Sequence, residues 1–284
     1  TRLWLDYAQA GIACYAAHTN LDVAPGGMNA LLAEKLGLLH TRPLIPAPQA
    51  AQVKLVTFVP EAHLDAVRRA VCETGAGVIG DYTFCGFSTP GVGTYQPGAG
   101  SNPFSGEKGR LNEEPERRFE VLVDKATVPR VLDALFRAHP YEEVAYDLVC
   151  LDNRNAAVGL GLQGDLLQPT TLESFAQHVR ASLELTHVRY VGAPGRTIAR
   201  AAVIGGAGGG EFRDVPPDVD VLVTGDVRYH DALDADARGL ALVDAGHEGT
   251  ERFIVGALAS HLAGRLPSLE VTSITEPEVF RLIS

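Results

Sequence analysis

Methionine and tryptophan each occur once in this 284-residue chain, and lysine is scarce beside arginine. The single methionine is Met28, while the chain begins with Thr1, so Thr1 is not expected to be the translational start. Processing, a tag scar or truncation would each produce such a beginning. The four cysteines, Cys14, Cys72, Cys85 and Cys150, form no C-x-x-C pair, which removes the usual zinc-knuckle and redox spacings. Each lies in or beside an apolar stretch, so buried free thiols and a reducing, cytoplasmic setting are expected. No signal peptide is expected, and no apolar run nears the length of a membrane span, so no membrane partner is expected. Basic runs are missing too. With 24 Lys and Arg against 35 Asp and Glu, the formal charge of −11 repels phosphates and disfavours nucleic acid as a partner. G-x-S-x-G, H-E-x-x-H and a catalytic-cysteine context are all absent.

What is present is the composition of a globular protein, 46 % hydrophobic and 21 % charged. Residues 3–10 read as a helix stopped by Gly11, 12–17 as a short strand, 18–27 as a polar loop and 28–37 as a helix. Residues 40–52, with three prolines, read as a linker. Beyond it the pattern runs strand 53–59, helix 61–74, strand-like pieces at 77–80 and 82–88, a loop or hairpin excursion over 89–116, strand 118–123, helix 128–139 and strand 144–151. That β-α-β-β-α-β order is the ferredoxin-like plan. Strands then read at 158–166, 187–191, 198–204, 219–224, 240–245 and 269–273, with helices at 171–184, 228–238 and 249–264. The expected architecture is an α/β core with a mixed sheet, residues 1–47 and 153–284, interrupted by an inserted α+β ferredoxin-like domain at 52–152.

Polar clusters follow several of the apolar runs. In "DAGHEGTERF" (244–253), His247 and Glu251 stand four residues apart and share one helix face. An imidazole and a carboxylate so placed can close on a divalent metal, or Thr250 and Glu251 can simply support the turn. In "HTNLD" (18–22), Asp22 is a possible hard-metal ligand and His18 a ligand or neighbour to one; ordinary turn chemistry is the competing reading. In "VTGDVRYHD" (223–231), Asp226, His230 and Asp231 follow a strand. His230 is a candidate general acid or base, or these residues mark a helix N-terminus. "IGGAGGGE" (204–211) could cradle an anion on backbone N–H groups or form a tight turn. "GLGLQG" (159–164) matches G-x-G-x-x-G but leads into no helix and lacks the acidic partner, which excludes a dinucleotide fold.

The pieces "YAAHTNLDVAPGGMNALLAEKLGL", "GLGLQGDL", "VLVTGDVRYHDALDADARGLALVDAGHEGTE" and "HPYEEVAYDLVCL", in this order, resemble the dinuclear-metal-centre family of NGG-one-interacting-factor-three-like proteins. Its members are often labelled GTP cyclohydrolase type 2 homologues. The resemblance implies that Asp22, His247 and Glu251 are metal ligands, with two divalent ions (zinc, manganese or iron) per subunit in the full-length family. It implies a homo-hexameric assembly and an insert similar to PII and CutA proteins. It also implies a metal-dependent hydrolase acting on a nucleotide or another phosphorylated small molecule, with His230 and His18 in proton transfer or beside the ligands. A non-catalytic metal-binding, delivery or regulatory protein is the alternative. Within the insert, "HPYEE" (139–143) could bind a ligand, although a turn at a strand edge is favoured. The family's site also uses a His-His pair before the His-Thr-Asn-Leu-Asp motif. No adjacent histidines occur here, so a missing N-terminal segment is expected.

Overall fold

The computed structural model describes residues 2–47 and 51–274. The chain divides into two compact units, one made of the residues up to Pro46 together with those from Ala157, the other of Ala47–Ala156. The first unit begins with α1 (Arg2–Gln9), α2 (Thr19–Val23), α3 (Met28–Lys35) and β1 (Leu39–Pro46). The second unit runs β2 (Ala51–Pro60), α4 (Leu64–Cys72), β3 (Gly86–Tyr95), β4 (Asn112–Asp124), α5 (Val128–Ala138) and β5 (Tyr146–Arg154). The chain then completes the first unit with β6 (Gly159–Thr171), α6 (Leu172–Ser182), β7 (Arg189–Val191), β8 (Thr197–Val203) and β9 (Val221–Thr224). Last come α7 (Tyr229–Ala237), β10 (Ala241–Asp244), α8 (His247–Glu251) and α9 (Ile254–Arg265).

The first unit is a mixed α/β core around a six-stranded sheet of order β1-β6-β8-β9-β10-β7. The strands β8, β9 and β10 are mutually parallel, and the other pairings are antiparallel. Every residue of β9 and β10 is buried, because the sheet is covered on both faces. Alternation divides the side chains between two layers. Val203, Val221, Val223, Ala241 and Val243 pack against Leu32 and Leu36 after and within α3, and against Phe175 and Val179 of α6. Ala202, Leu222 and Leu242 face the other way, toward Phe212, Val215 and Ala235 of α7. Each fully buried Val or Leu contributes about 1.5–3 kcal/mol. The two apolar layers therefore fix where the parallel strands end.

Several sequence expectations are corrected here. Residues 12–17 are not a strand: they pair with none of the described strands, and Ile12 and Tyr15 are exposed. An extended segment without a ladder gains nothing to hold it. Residues 269–273 are likewise irregular, with Leu269 exposed. The proline-rich stretch is no linker from 40 to 46 but the edge strand β1, antiparallel to β6. Its prolines are compatible with that place, since an edge strand has one side free of ladder bonds. Residues 48–50 of that stretch lie outside the described residues. The loop read at 18–27 contains the short helix α2, and the helix read at 249–264 is divided into α8 and α9. Of the four cysteines only Cys72 is buried; Cys14 and Cys150 are exposed.

The second unit is antiparallel throughout, with sheet order β3-β4-β2-β5. Val53, Leu55 and Val59 of β2 and Phe119, Val121 and Val123 of β4 alternate onto the face covered by α4 and α5. Leu64, Val67 and Val71 meet them from α4 at helical spacing, as Val131 and Leu135 do from α5. The arms β3 and β4 pair from Gly86↔Val121 to Tyr95↔Asn112, so much of the Gly/Pro-rich excursion is a long hairpin.

His139, just after α5, is 6 % exposed and bonded at both nitrogens. Nε2 lies 3.0 Å from the Phe58 carbonyl, and the Tyr141 N–H donates to Nδ1 at 3.2 Å. The neutral Nε2–H tautomer satisfies both bonds, whereas a proton on Nδ1 would oppose the Tyr141 N–H. Burial pushes the imidazole below its ordinary range, with the His63 charge adding to the effect against the Phe58 bond. A histidine with a folded-state pKa below its unfolded value stabilises the fold above the unfolded pKa and loses that stability as pH falls. The second unit should therefore become less protected against amide exchange as pH drops below about 6.5. In His139→Gln this acid dependence should flatten; an unchanged profile would remove His139 as its cause.

Candidate functional site

The parallel strands β8, β9 and β10 release the chain at one edge of the sheet, the usual place for a site in an α/β fold. Three turns meet there: 204–209, 225–228 and 245–251. Their packing leaves no room for side chains at two glycines. A Cβ on Gly225 would come within 2.5 Å of the His247 nitrogen and 2.8 Å of the Gly206 oxygen. Gly206 has φ +67°, and a Cβ there would run into the Glu251 carboxylate.

Buried side chains satisfy the backbone of these turns. The Gly206 N–H donates to Thr250 Oγ1 at 2.9 Å, and that hydroxyl faces the carbonyls of Gly246 (3.0 Å) and His247 (2.8 Å). The Gly208 N–H donates to Thr224 Oγ1 at 3.0 Å. The Gly205 N–H donates to Asn29 Oδ1 at 2.9 Å, and Asn29 Nδ2 donates to the Asp22 carbonyl at 2.9 Å. Three amides of "IGGAGGGE" are thus already bonded, and the loop is a tight turn and not an anion cradle.

This framework sets the titratable groups. His247 Nδ1 lies 2.7 Å from Asp226 Oδ2, and Nε2 lies 3.4 Å from Glu251 Oε2. Asp226 has φ +54°, a left-handed backbone unusual outside glycine, and it carries the carboxylate under the imidazole. The Asp226 hydrogen bond raises the His247 pKa; Glu251 and Asp22 add to this, against the effect of burial. Asp22, at the end of α2 and half-buried, is pushed upward by burial and drawn back by the charges of His18 and His247. His247 thus stands beside Glu251 and within electrostatic reach of Asp22, although Asp22 arrives from a helix and not from a strand end. Among the described residues, no group of three or more His, Cys, Asp or Glu side chains is gathered closely enough to hold a metal ion.

The remaining sequence candidates separate. His18 is exposed beside Asp22, with its N–H donating to Asn20 Oδ1 at 2.8 Å. His230 is exposed and stacks edge-on to Tyr229 at 5.6 Å, with no bond to the His247 cluster. Asp231 is buried and accepts from Arg228 Nε at 2.6 Å, a structural ion pair. Glu211, which sequence reasoning passed over, has a buried Oε2 without a hydrogen-bond partner among the described residues and lies within electrostatic reach of Arg228. A carboxylate closing a glycine run was its only signal.

The sequence profile of the Duf34/NIF3 (NGG1p interacting factor 3) family matches residues 1–278. The chain belongs to this family. It is 43 % identical over 234 residues to a GTP cyclohydrolase 1 type 2 homolog of Halalkalibacterium halodurans, covering 82 % of this chain and 63 % of that protein. A protein of the same description from Bacillus subtilis is 43 % identical over 237 residues, 83 % of this chain and 64 % of its own length. The chain thus spans less than two thirds of these relatives. The crystal structure of a Bacillus cereus protein related to NIF3 superposes with a TM-score of 0.84 at 39 % identity, covering 97 % of this chain and 75 % of that one. No helix among the described residues is long and apolar enough to cross a membrane.

Asn29 is the tie between the Asp22 segment and the turn after β8, and it is buried. Asn29→Ala would leave the Gly205 N–H and the Asp22 carbonyl unpaired, costing about 1–3 kcal/mol. Denaturant unfolding should show that loss, with faster amide exchange over residues 19–23. A stability equal to wild type would mean that water replaces both bonds.

Proposed function

We propose that the chain is a divalent-cation-binding protein that acts in metal handling or metal-dependent regulation, with Asp22, His247 and Glu251 as ligands. The observation that carries this reading is the orientation of His247. Asp226 holds its Nδ1 at 2.7 Å, while Nε2 faces the Glu251 carboxylate at 3.4 Å. Imidazoles that ligate metals are commonly held in this way, with one nitrogen fixed by a carboxylate and the other turned to the ion. One imidazole and two carboxylates suit zinc, manganese or iron.

As a donor set, one imidazole and two carboxylates would suit one ion better than two, and binding would have to draw them together, since among the described residues they are not gathered closely enough to hold it. The two-ion site that the family resemblance implies also uses a His-His pair, and this sequence has no adjacent histidines. Three donors shared between two ions leave both short of ligands. A bound cation would offset the negative charge that Asp226, Glu251 and Asp22 place around His247. The protein's own part is positional: Asp226 sets the ring, Thr250 and Gly206 fix the turn, and Asn29 anchors the Asp22 backbone. The cyclohydrolase description belongs to the longer relatives. For the second unit we propose a separately folding ferredoxin-like module over about 52–152, similar to PII and CutA proteins.

Loading the purified chain with zinc, manganese or ferrous iron, then desalting and measuring elemental content, tests the reading. At most one ion per chain should remain, and it should pass to a competing chelator. Asp22→Ala and His247→Ala should abolish retention while leaving the circular dichroism spectrum intact. Asp226→Ala should weaken affinity about 10–100-fold through loss of ring orientation. Two tightly held ions, or GTP turnover that disappears in Asp22→Ala, would overturn the proposal.

A further inference from the structure

The second unit encloses a cavity of about 710 Å³, within the range of small-molecule sites. All of its lining lies between Phe58 and Ala145, so it is independent of Asp22, His247 and Glu251. Phe58, Glu116 and Arg118 alternate with the core residues Val59 and Phe119, which places them on the sheet face away from α4 and α5. The β3 arm and the loop after it form the walls, and Tyr141–Glu143 closes one side.

The walls are fastened. Tyr95 Oη donates to the Ser105 carbonyl at 2.9 Å, and Ser105 Oγ donates to Glu114 at 2.6 Å. The Asn102 N–H donates to Glu142 Oε1 at 2.6 Å. The Phe104 ring packs between His63 at 5.4 Å and Tyr141 at 5.8 Å. Glycine keeps the interior open, since a Cβ on Gly93 would collide with the Glu116 carboxylate.

The lining is aromatic and negatively charged. Phe58, Phe104, Tyr95 and Tyr141 supply rings, while Glu116, Glu142 and Glu143 supply carboxylates. Arg118 also lines the cavity, but its Nε donates to Glu120 at 2.8 Å. Glu143 has no hydrogen-bond or ion-pair partner among the described residues. Tyr141 Oη donates to Glu116 Oε1 at 2.8 Å. Burial first, then the Glu116 hydrogen bond and the Glu116 and Glu114 charges, push that phenol far above its ordinary range.

We propose that this cavity binds a small organic cation, an amine, amidine or guanidinium group carried on a flat apolar body. The head would meet Glu116, Glu142 and Glu143, and the body would lie against Phe104 and Tyr141, adding cation–π attraction, since the Arg118 guanidinium already sits 6.0 Å from the Phe58 ring centre. A phosphorylated ligand would face three carboxylates. An apolar segment of a second chain would desolvate them without a partner, which is costly.

The test is heteronuclear NMR on the full chain, with benzamidine as cation, benzoate as its anionic match and benzyl alcohol as its neutral match. Benzamidine should shift the amides of Gly91, Gly93, Tyr141 and Glu143 saturably, and benzoate should not. Glu143→Gln should weaken benzamidine about threefold to tenfold, the effect of one charge pair. Arg118→Gln should tighten it by a similar factor, a gain that misfolding cannot imitate. Equal response to benzamidine and benzoate would overturn the proposal, as would no saturable shift. Shifts of the same amides with protein concentration alone would assign the cavity to a second copy of the chain and overturn it too.

Discussion

The hydroxyl of Thr250, fully buried, holds the functional edge of the first unit together. It accepts from the Gly206 N–H in the turn after β8 and faces the Gly246 and His247 carbonyls at the start of α8. Parallel strands create the need for such a group. Each ends in a turn whose amides leave the ladder, and those amides must find partners inside a dry layer. Thr224 and Asn29 answer the same need at Gly208 and Gly205. With the backbone bonded in this way the turns approach closely, which is why Gly206 and Gly225 have no space for a side chain. The close approach in turn brings Asp226 beneath His247, 21 residues further along the chain.

That sequence of constraints separates positioning from reactivity. The imidazole of His247 is half-exposed, yet its orientation is fixed because Asp226 and Glu251 engage its two nitrogens. The left-handed backbone at Asp226 has a cost of order 1–3 kcal/mol. Its neighbours supply the compensation: the bonded turns on either side leave the chain little alternative. His230, by contrast, has only a ring contact with Tyr229 to orient it among the described residues. A histidine near a strand end is common, and the difference between these two lies in what holds the ring.

The legible parts of the sequence were those where one chemical pattern maps to one local outcome. The apolar runs Val221–Val223 and Leu240–Val243 lie within or at buried strands, as their lack of charge suggests. His247 and Glu251 share a face because helical spacing puts them there. What was hidden depended on partners distant in sequence. Nothing near Asp226 announces that it will meet His247, and nothing in Pro43 and Pro46 tells an edge strand from a linker until β6 lies alongside. Residues 12–17 carried a strand-like composition but no ladder partner among the described strands. The second unit's cavity was illegible for the same reason. "HPYEE" shows two carboxylates and a ring, but Glu116 and Phe58 reach them only through sheet pairing.

Both candidate sites are built on carboxylates held by a neighbouring ring, yet their surroundings admit different cations. Around His247 the groups are set by tight backbone turns, with Asp226 on Nδ1 and Glu251 facing Nε2. An ion that exchanges water for imidazole and carboxylate suits such donors. Around Glu116 the walls are aromatic rings and prolines enclosing about 710 Å³. There a bare divalent ion would find its carboxylates too widely dispersed among apolar groups to replace its hydration shell, whereas a flat cation replaces water on its body by rings and on its head by carboxylates. The net charge of −11 raises the local concentration of any cation near both units without choosing among them. Selection therefore rests on what surrounds the carboxylates, an imidazole and tight turns in one site and aromatic rings in the other.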